Sequence, residues 1–299
     1  MKNLIYHLGK LLFIIAFIVS GFAVANPLPD DIPPINAFTV GIGGAAVAVT
    51  NNPAIIYWNP AGISISNLMS VDFTLASSKV ESPGTWSFLL VNSASDVGAR
   101  FGMGLIRRNV VKNDEEFQSF QFIIPLSHSF KTGMFPVGMS MKFISERLDG
   151  ASWKYGMAFD TGILVLLPTG FKIGLSTQNI SGSNLRSFGS KSWIGVSWGG
   201  DGLPILVSGQ MRTERPRSRK YNSENFNVGL NIFPLPQYPE IRGGWMRSRG
   251  KNRLTMGLSY YFKKEDARID FTLVVDHKDW GNQAYFLTYG WGLIPTKSK

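Results

Sequence analysis

From Leu68 to the end of the chain, apolar and polar residues alternate with a period of two in one segment after another. In the first of these segments Met69, Val71 and Phe73 alternate with Ser70 and Asp72. A period of two is that of a β-strand, in which successive side chains point to opposite faces. About fourteen segments of roughly 8 to 12 residues follow the pattern and are separated by turn residues. The pattern predicts an all-β protein.

The two faces of these strands differ in composition. One face is bulky and often aromatic, whereas the other carries mostly Gly, Ser, Thr, Asn, Lys and Asp. A soluble β-sandwich or propeller would also alternate, but its outward face should contain more Lys and Glu. The connections are mostly short, as an up-and-down barrel requires. We therefore predict a transmembrane antiparallel up-and-down β-barrel of about 14 strands over residues 68–294, with its apolar face toward lipid and its polar face toward the lumen.

Aromatic and charged residues within the strands have different expected places. The Trp and Tyr residues are numerous enough to form girdles at the two lipid–water boundaries. The candidates are Tyr57, Trp153, Tyr155, Trp193, Trp198, Trp245, Tyr260, Tyr261, Tyr285, Tyr289 and Trp291. Phe286, in contrast, falls on the polar face of its strand.

Six charged residues fall on the small polar face and are predicted to face the lumen. They are Lys142, Lys154, Asp160, Lys172, Arg242 and Asp270. Two roles are open for them. They could pair with one another and hold a lumen segment, or they could form a polar path or contact a ligand.

The first 25 residues have the features of an export signal. Lys2 and Lys10 flank the start, an apolar run follows, and residues 23–25 have the A-x-A form of a cleavage site. The run from Leu11 to Val24 is about 14 residues long, which is shorter than the roughly 20 residues of a membrane-spanning helix. We predict that residues 1–25 are removed and that the protein is located in a bacterial outer membrane.

Charge and cysteine content exclude several classes of function. The formal net charge is +10, but the basic residues are scattered apart from one cluster, Arg212–Lys220. An exported chain meets little nucleic acid, so the cluster is read as a solvated loop or as a contact for an anionic partner such as lipopolysaccharide phosphate. The absence of cysteine excludes disulfides and thiolate metal sites. We predict no metal and no cofactor.

No arrangement of residues predicts an enzyme. Ser127 and His128 are adjacent on a predicted strand, so their side chains point to opposite faces and do not form a catalytic pair. His277 lies near a strand end between two aspartates, which is typical of a loop histidine. The glycines of residues 41–44 are not followed by the helix and acidic residue of a dinucleotide site. A lipid hydrolase in the barrel wall is therefore the weakest alternative.

Residues 26–67, between the signal and the first strand, contain the unusual segment YWNPAGI. Pro60 has no backbone N–H and biases Asn59 away from helical geometry, while Gly62 tolerates unusual backbone angles. Tyr57 and Trp58 nevertheless need burial. The segment is therefore expected to be a compact turn-forming structure that buries its aromatic rings.

The segment Val40–Ile63 resembles the N-terminal motif of the FadL superfamily of outer-membrane barrels. The similarity is greatest to the PorV/PorQ branch, in which a small-residue run leads to a W-N-P-A-G signature. Residues 159–180, and the sequences NVGLNIF and IRGGW at 227–233 and 241–245, carry weaker similarity. Two departures are clear: Asn51 and Asn52 stand where relatives often have acidic residues, and residues 294–299 extend beyond the last strand aromatic.

The resemblance implies a barrel whose N-terminal segment folds into the lumen as a plug. It assigns this role to the motif Trp58, Asn59, Pro60, Ala61 and Gly62, although the motif could instead be a turn that leads into the first strand. Two functions follow. One is a FadL-like conduit for hydrophobic small molecules, and the other is a PorV-like accessory or shuttle barrel that holds exported proteins during secretion.

Overall fold

The structure of the protein is a computed structural model. It describes residues 35–65, 69–78, 85–92, 99–112, 115–130, 133–180, 185, 189–200, 203–214, 225–233, 239–248, 251–262, 266–277 and 283–292. The predicted export signal at residues 1–25 and the tail at 295–299 lie outside the described residues, as does most of the basic cluster.

Fourteen strands account for most of the described residues. They are β1 Met69–Ser78, β2 Thr85–Asn92, β3 Ala99–Lys112, β4 Glu115–His128, β5 Val137–Leu148, β6 Lys154–Leu166, β7 Phe171–Gln178, β8 Lys191–Gly199, β9 Ile205–Glu214, β10 Asn225–Ile232, β11 Glu240–Ser248, β12 Lys251–Phe262, β13 Ala267–Asp276 and β14 Gln283–Trp291. None of the helices in the described part of the chain is long and apolar enough to span a bilayer.

The strands form one closed antiparallel barrel. Each pairs with its neighbours in sequence, and β1 pairs with β14. At this seam Val71 lies opposite Trp291 and Phe73 lies opposite Tyr289. Closure removes the free edges of a sheet, whose backbone N–H and C=O groups would otherwise lack partners. The predicted up-and-down barrel of fourteen strands is therefore confirmed.

The path of the chain distinguishes the two ends of the barrel. We call the end at which β1 begins and β14 ends the proximal end, and the opposite end the distal end. The two longest connections, residues 179–190 between β7 and β8 and residues 215–224 between β9 and β10, belong to the distal end.

The alternation of the strands is also confirmed, since polar side chains point into the barrel and apolar side chains point outward. In β12, for example, Thr255 and Ser259 are buried in the lumen, while Met256 and Leu258 are about half exposed on the outer surface. Phe286 is fully buried on the inner face of β14, as its register predicts.

Three of the eleven girdle candidates lie inside the barrel and not on its outer surface. Trp193 alternates with the outward Ile194 and is buried in the lumen, and Tyr261 alternates with the outward Tyr260. Adjacent strand residues point to opposite faces, so Tyr260 and Tyr261 do not share the girdle. Tyr57 belongs to a helix inside the barrel. The other eight lie on the outward face or in the exposed connection between β5 and β6.

Residues 35–65 form the plug segment, which lies inside the barrel. It contains α1 (Ala37–Gly41), α2 (Ile55–Trp58) and a 3₁₀ helix (Pro60–Ser64). The first helix contacts β11 to β14, and the 3₁₀ helix contacts β3 to β6 on another part of the wall. Except for Asn51 and Ile65, every residue of the segment is buried. The predicted lumen plug is therefore present.

The hydrophobic core of the protein lies in the lumen and is built largely from the plug segment. Plug residues such as Ile42, Ile56 and Trp58 pack against Leu89 and Ile123, which point inward from β2 and β4. A second cluster joins Ala37 and Val40 of α1 to the inward side chains of β1, β11, β13 and β14. Because one apolar face of each strand points outward, the plug supplies the apolar surface that the lumen would otherwise lack.

Candidate functional site

The contact between the plug and the barrel wall depends on glycines that point into the lumen. A Cβ atom at Gly138 would overlap the backbone of Pro60 and Ala61, and one at Gly174 would overlap the backbone of Val47. Corresponding overlaps with plug atoms would arise at five further inward glycines, Gly102, Gly162, Gly195, Gly229 and Gly244. These seven glycines lie on seven strands, β3, β5, β6, β7, β8, β10 and β11. The wall is therefore shaped so that the plug backbone can approach it directly.

A single glutamine holds the tight turn at the centre of the plug. Gly43 and Gly44 have φ angles of 67° and 70°, in the left-handed region that favours glycine. The side-chain oxygen of Gln210, on β9, accepts hydrogen bonds from the backbone N–H groups of Ala46 (2.9 Å) and Val47 (3.0 Å). Its amide nitrogen donates to the carbonyl oxygen of Gly44. Gln210 thus gives the Val47 N–H its partner and adds a second partner to the Ala46 N–H and the Gly44 carbonyl, which also bond each other at 3.0 Å.

Threonine hydroxyl groups of the wall hydrogen-bond the backbone of the first helix of the plug. At the start of α1, the N–H of Ala37 donates to Thr288 Oγ1 (2.8 Å) and its carbonyl oxygen accepts from Thr272 Oγ1 (2.7 Å). At the end of α1, Thr255 Oγ1 donates to the carbonyl oxygen of Gly41 (2.8 Å). The buried hydroxyl groups of the lumen therefore serve as partners for the plug backbone.

Asn59 of the W-N-P-A-G motif links three parts of the structure. It is fully buried, and its Nδ2 donates to the carbonyl oxygens of Val47 (3.0 Å) and of Ile163 in β6 (3.1 Å). Its Oδ1 accepts from the N–H of Ala61 (3.2 Å) and so caps the 3₁₀ helix that Pro60 begins. One side chain therefore joins the plug turn, the motif and the barrel wall.

The other four residues of the motif pack against the barrel wall or against the plug itself. Pro60 and Ala61 lie against Gly138 of β5, and Gly62 lies against Ile55 of the plug. Trp58 packs edge-to-face on Trp193 of β8, with ring centroids 5.3 Å apart. The motif is thus a buried helical turn that lies in the lumen.

A buried ionic network surrounds Phe38 of α1. Asp270 lies 2.6 Å from Arg268 Nε and 3.3 Å from Arg242 Nη1. Arg268 also pairs with Asp72 at 3.2 Å. The two guanidinium carbons lie 5.0 Å and 5.9 Å from the centre of the Phe38 ring, so both arginines make cation–π contacts with the plug. Of the predicted lumen residues, Arg242 and Asp270 therefore pair and hold the plug.

On the opposite part of the wall, Lys142 and Asp160 form a second buried pair. Lys142 Nζ lies 2.6 Å from Asp160 Oδ2 and 4.8 Å from the centre of the Tyr57 ring. Asp160 Oδ1 accepts from the N–H of Asn179 at 2.9 Å. This pair, like the first network, connects the wall to an aromatic residue of the plug.

The other two predicted lumen lysines differ from each other. Lys172 of β7 is buried and donates to Thr50 Oγ1 of the plug at 2.9 Å. Lys154 is the first residue of β6 and is exposed at the distal end, so it is not brought into the plug contacts.

A narrow pocket lies between the plug and strands β8 to β11, and about 20 Å³ of it is open to the centres of water-sized molecules. Its plug side is formed by Val40, Gly43, Gly44 and Trp58, and its wall side by Trp193, Arg212, Asn225, Asn227, Met246 and Ser248. The strand-end positions of Asn225 and Ser248 place the pocket toward the distal end. Its lining combines two indole rings and two aliphatic side chains with one guanidinium group. The lining is therefore largely apolar, and a molecule larger than water can enter only if side chains of the plug or the wall move.

The described residues offer no obvious chemistry beyond binding. Among them, no group of three or more His, Asp or Glu side chains is arranged to hold a metal ion. Ser127 is buried, whereas His128 is exposed at the end of β4, as expected for neighbours on a strand. The plug can obstruct the lumen, and the pocket beside it can bind a molecule.

Several residues that hold the plug were not identified from the sequence. Asp72 was placed on the polar face, but Gln210, Arg268 and Thr288 were not singled out. Their position on the inward face could be predicted from the alternation of β1, β9, β13 and β14. Their partners could not, because the plug segment has no periodicity from which its path across the lumen could be deduced.

No protein-family model matches the sequence, and no curated protein is significantly similar to it. Among solved structures, the chain resembles a Pseudomonas aeruginosa FadL homologue with a TM-score of 0.65 and 10% identity, over 88% of this chain and 99% of that one. It resembles the Pseudomonas putida toluene transporter TodX with a TM-score of 0.66 and 11% identity, over 88% and 99% of the two chains. For the CymD monoaromatic hydrocarbon channel the TM-score is 0.62 and the identity 12%, over 90% and 97%.

These similarities show the fold that the chain shares with transporters and channels. None of the three is described as an enzyme, which agrees with the prediction from the sequence. None is described as PorV or PorQ, so the resemblance to that branch stays a prediction. At identities of 10 to 12% the chain has the fold of the FadL-type hydrocarbon channels.

Proposed function

We propose that the protein is an outer-membrane channel that takes up small hydrophobic molecules past a lumen plug. The observation that carries the proposal is the pocket between Trp58 of the plug and Trp193 of the wall, because it offers an apolar binding surface directly against the obstruction. Two proteins of the same fold are a toluene transporter and a monoaromatic hydrocarbon channel.

The outer surface of the barrel supports a membrane location. Large apolar side chains are exposed on most strands, among them Phe101, Ile194, Ile241 and Met256 at 50%, 47%, 54% and 53%. In water such a surface would cause aggregation, whereas in a bilayer it contacts the lipid acyl chains. Closure of the strands satisfies the backbone where lipid offers no hydrogen bonds.

The distal end is proposed to face the cell exterior. Outer-membrane barrels have short periplasmic turns and longer extracellular loops, and the two longest connections here belong to the distal end. A molecule arriving from outside would then meet the pocket before it meets the rest of the plug. A lipopolysaccharide contact by the basic residues near 212–220 remains a prediction, since most of them lie outside the described residues.

Uptake of toluene by intact cells tests the proposal. Cells of a bacterium without its own hydrocarbon channels should take up labelled toluene faster when they express the full chain. Asn227→Phe should reduce this rate, because Asn227 lines the pocket and a phenyl ring would fill it. Val228→Phe is the matched control, since the neighbouring side chain points outward and is 38% exposed. Both variants are first checked for a folded barrel by the mobility shift of unheated samples in gels.

Two results would contradict the proposal. One is an uptake rate that equals that of cells without the protein. The other is equal uptake by the Asn227→Phe and Val228→Phe variants. Co-purification of one exported protein with the full chain from detergent-extracted membranes, together with unchanged toluene uptake, would instead support the secretion role.

A further inference from the structure

The arginines that face outward from the described strands all lie toward the distal end of the barrel. They are Arg107 of β3, Arg147 of β5 and Arg247 of β11, and each is exposed or half-buried. These strands run from the proximal to the distal end, as β1 does, because neighbouring strands are antiparallel. Arg147 and Arg247 are the penultimate residues of their strands, and Arg107 lies opposite Trp86, the second residue of β2.

Each arginine marks the distal limit of the apolar outer surface. In β3 the outward residues that precede Arg107 are all apolar, and the last of them is Leu105. In β11 the outward residue before Arg247 is Trp245, whose ring centroid lies 5.9 Å from that of Phe226. The change from apolar to cationic side chains therefore occurs within one outward position along these strands.

Aromatic rings lie beside the other two arginines as well. Arg107 lies between Trp86 and Phe120 on the two neighbouring strands, and the centroids of these rings are 6.4 Å apart. The guanidinium carbon of Arg147 lies 5.2 Å from the centre of the Trp153 ring. Aromatic girdles mark the boundary between the hydrocarbon and the headgroups in membrane barrels. The arginines are therefore placed at the level of the headgroups, which their long side chains can reach.

The outer surface has no corresponding charge at the proximal end. Among the outward positions of the described strands, only the three arginines and Glu116 are Arg, Lys, Asp or Glu. Glu116 is the second residue of β4 and so also lies at the distal end. The positive charge of the outer surface is therefore restricted to one end of the barrel.

This charge is balanced by protein groups at only one of the three arginines. Arg147 Nη2 donates to Gln118 Oε1 at 2.9 Å, and Gln118 Nε2 donates to Glu116 at 2.6 Å, so an acidic residue lies near Arg147. Within the described part of the chain, no acidic side chain forms an ion pair with Arg107 or Arg247. These two guanidinium groups are therefore available to an anion outside the barrel.

The chemistry and the one-sided distribution of the arginines favour a particular lipid. A guanidinium group binds phosphate oxygens through parallel hydrogen bonds, and basic residues near a membrane surface bind anionic headgroups. Lipopolysaccharide, which carries phosphate groups, occupies only the outer leaflet of a bacterial outer membrane, whereas phospholipids form the inner leaflet. A basic boundary at the distal end alone matches this asymmetry, because the distal end is the one proposed to face the cell exterior.

We propose that Arg107 and Arg247, together with Arg147, bind the phosphate groups of lipopolysaccharide. The acyl chains of the lipid then lie along the apolar outer face below the arginines, against rings such as Trp86 and Trp245. The inference rests on the proposed membrane location and orientation, and it is independent of the molecule that passes through the lumen. It adds an interaction surface on the outside of the barrel.

Native mass spectrometry of the full-length protein in detergent tests this inference, with lipid A, the phosphorylated lipid part of lipopolysaccharide, as the probe. Arg107→Gln with Arg247→Gln should weaken lipid A binding about ten-fold. Lys154→Gln with Lys251→Gln is the matched control, because it also removes two positive charges from exposed distal residues, but at inward positions of β6 and β12. It should leave the affinity unchanged. All variants are first checked for a folded barrel by gel mobility.

Two further lipids identify the group that is recognised. Lipid A without its phosphate groups and phosphatidylglycerol should both bind the wild-type protein more weakly than lipid A. The inference is overturned if the two double variants bind lipid A equally, or if the wild-type protein does not bind it. Equal binding of phosphate-free lipid A, or of phosphatidylglycerol, also overturns it. Toluene uptake by cells that express the wild-type protein reports separately on the proposed function.

Discussion

The side-chain oxygen of Asn59 occupies the space that a Cβ atom on Gly162 would take. Both residues are buried, one in the plug and the other in β6 of the wall. Asn59 also donates to the carbonyl oxygen of Ile163, the next residue of the same strand. The wall therefore has a glycine at the point where the Asn59 side chain of the plug contacts it. This contact fixes the depth and orientation of the motif in the lumen.

Gly162→Ala should therefore displace the motif. The added methyl group meets the Asn59 side chain and the Pro60 ring, and overpacking of this kind costs about 1–3 kcal/mol. Gly209→Ala is the control, because the nearest atom to a Cβ there is a carbonyl oxygen at 3.8 Å. We expect hydrogen exchange of the plug amides to rise only in Gly162→Ala. Equal exchange in the two variants would show that the motif does not depend on this contact.

Loss of the Gln210 side chain should loosen the plug turn. Gln210→Ala removes the acceptor of the Val47 N–H and the second acceptor of the Ala46 N–H, and a buried group left unpaired costs about 1–3 kcal/mol. Ser208→Ala is the matched control on the same inward face of β9, because Ser208 Oγ has no hydrogen-bond partner among the described residues. Thermal unfolding in detergent measures the difference. A drop in melting temperature that is no larger for Gln210→Ala than for Ser208→Ala would contradict the assigned role.

Lys142 and Asp160 should stabilise the protein jointly, so that the loss of one residue costs more free energy of unfolding than the loss of both charges. Lys142→Met leaves the Asp160 carboxylate buried without its cation, and removal of one partner of a buried pair costs about 3–5 kcal/mol. Adding Asp160→Asn removes the unpaired charge and keeps an oxygen for the N–H of Asn179. The double variant should therefore unfold at a higher denaturant concentration than Lys142→Met alone. If the two substitutions act additively, the pair is not coupled.

A charge on the outer surface tests the membrane location. Leu258 of β12 is 51% exposed on the outward face. Leu258→Arg should destabilise the barrel in a bilayer by about 2–4 kcal/mol if the site lies near the midplane. Leu258→Phe, which keeps the surface apolar, should leave the free energy of unfolding close to that of the wild type. Equal stability of both variants in lipid vesicles would exclude lipid contact at this position.

The barrel could be predicted from the sequence because its strands have a simple period. Alternation of Thr255, Gly257 and Ser259 with Met256 and Leu258 fixes both the strand and its faces. The same rule shows why Trp193 and Tyr261 were misplaced as girdle residues, since each falls on the inward face. Being a Trp or Tyr is not enough to assign a residue to the girdle, because the face of the strand decides where its side chain lies.

The plug motif could be recognised, but its contacts could not be deduced. Pro60 after an extended Asn59 predicted an irregular structure, and the resemblance to FadL-type barrels placed it in the lumen. The meeting of Trp58 with Trp193, 135 residues later in the chain, depends on the path of the plug across the lumen. No local pattern specifies that path, since the segment is joined to the wall by side chains from distant strands, such as Gln210 and Thr272.

Planar-bilayer conductance tests the central claim, that residues 35–65 obstruct the lumen of a membrane barrel. The variant is Trp58→Ala with Asn59→Ala, which removes a buried ring and three hydrogen bonds of the motif. Loss of the ring alone costs roughly 3–5 kcal/mol, but it leaves the strand pairing intact. Trp198→Ala, on the outward face, is the control. Proteinase K digestion reports separately whether the plug has been released.

The double variant should insert as a folded barrel, conduct ions more strongly than the wild type, and be cleaved within residues 35–65. Wild-type protein and Trp198→Ala should show low conductance and an intact plug. A conductance that is the same in all three proteins, with the segment already cleaved in the wild type, would contradict the claim that it obstructs the lumen.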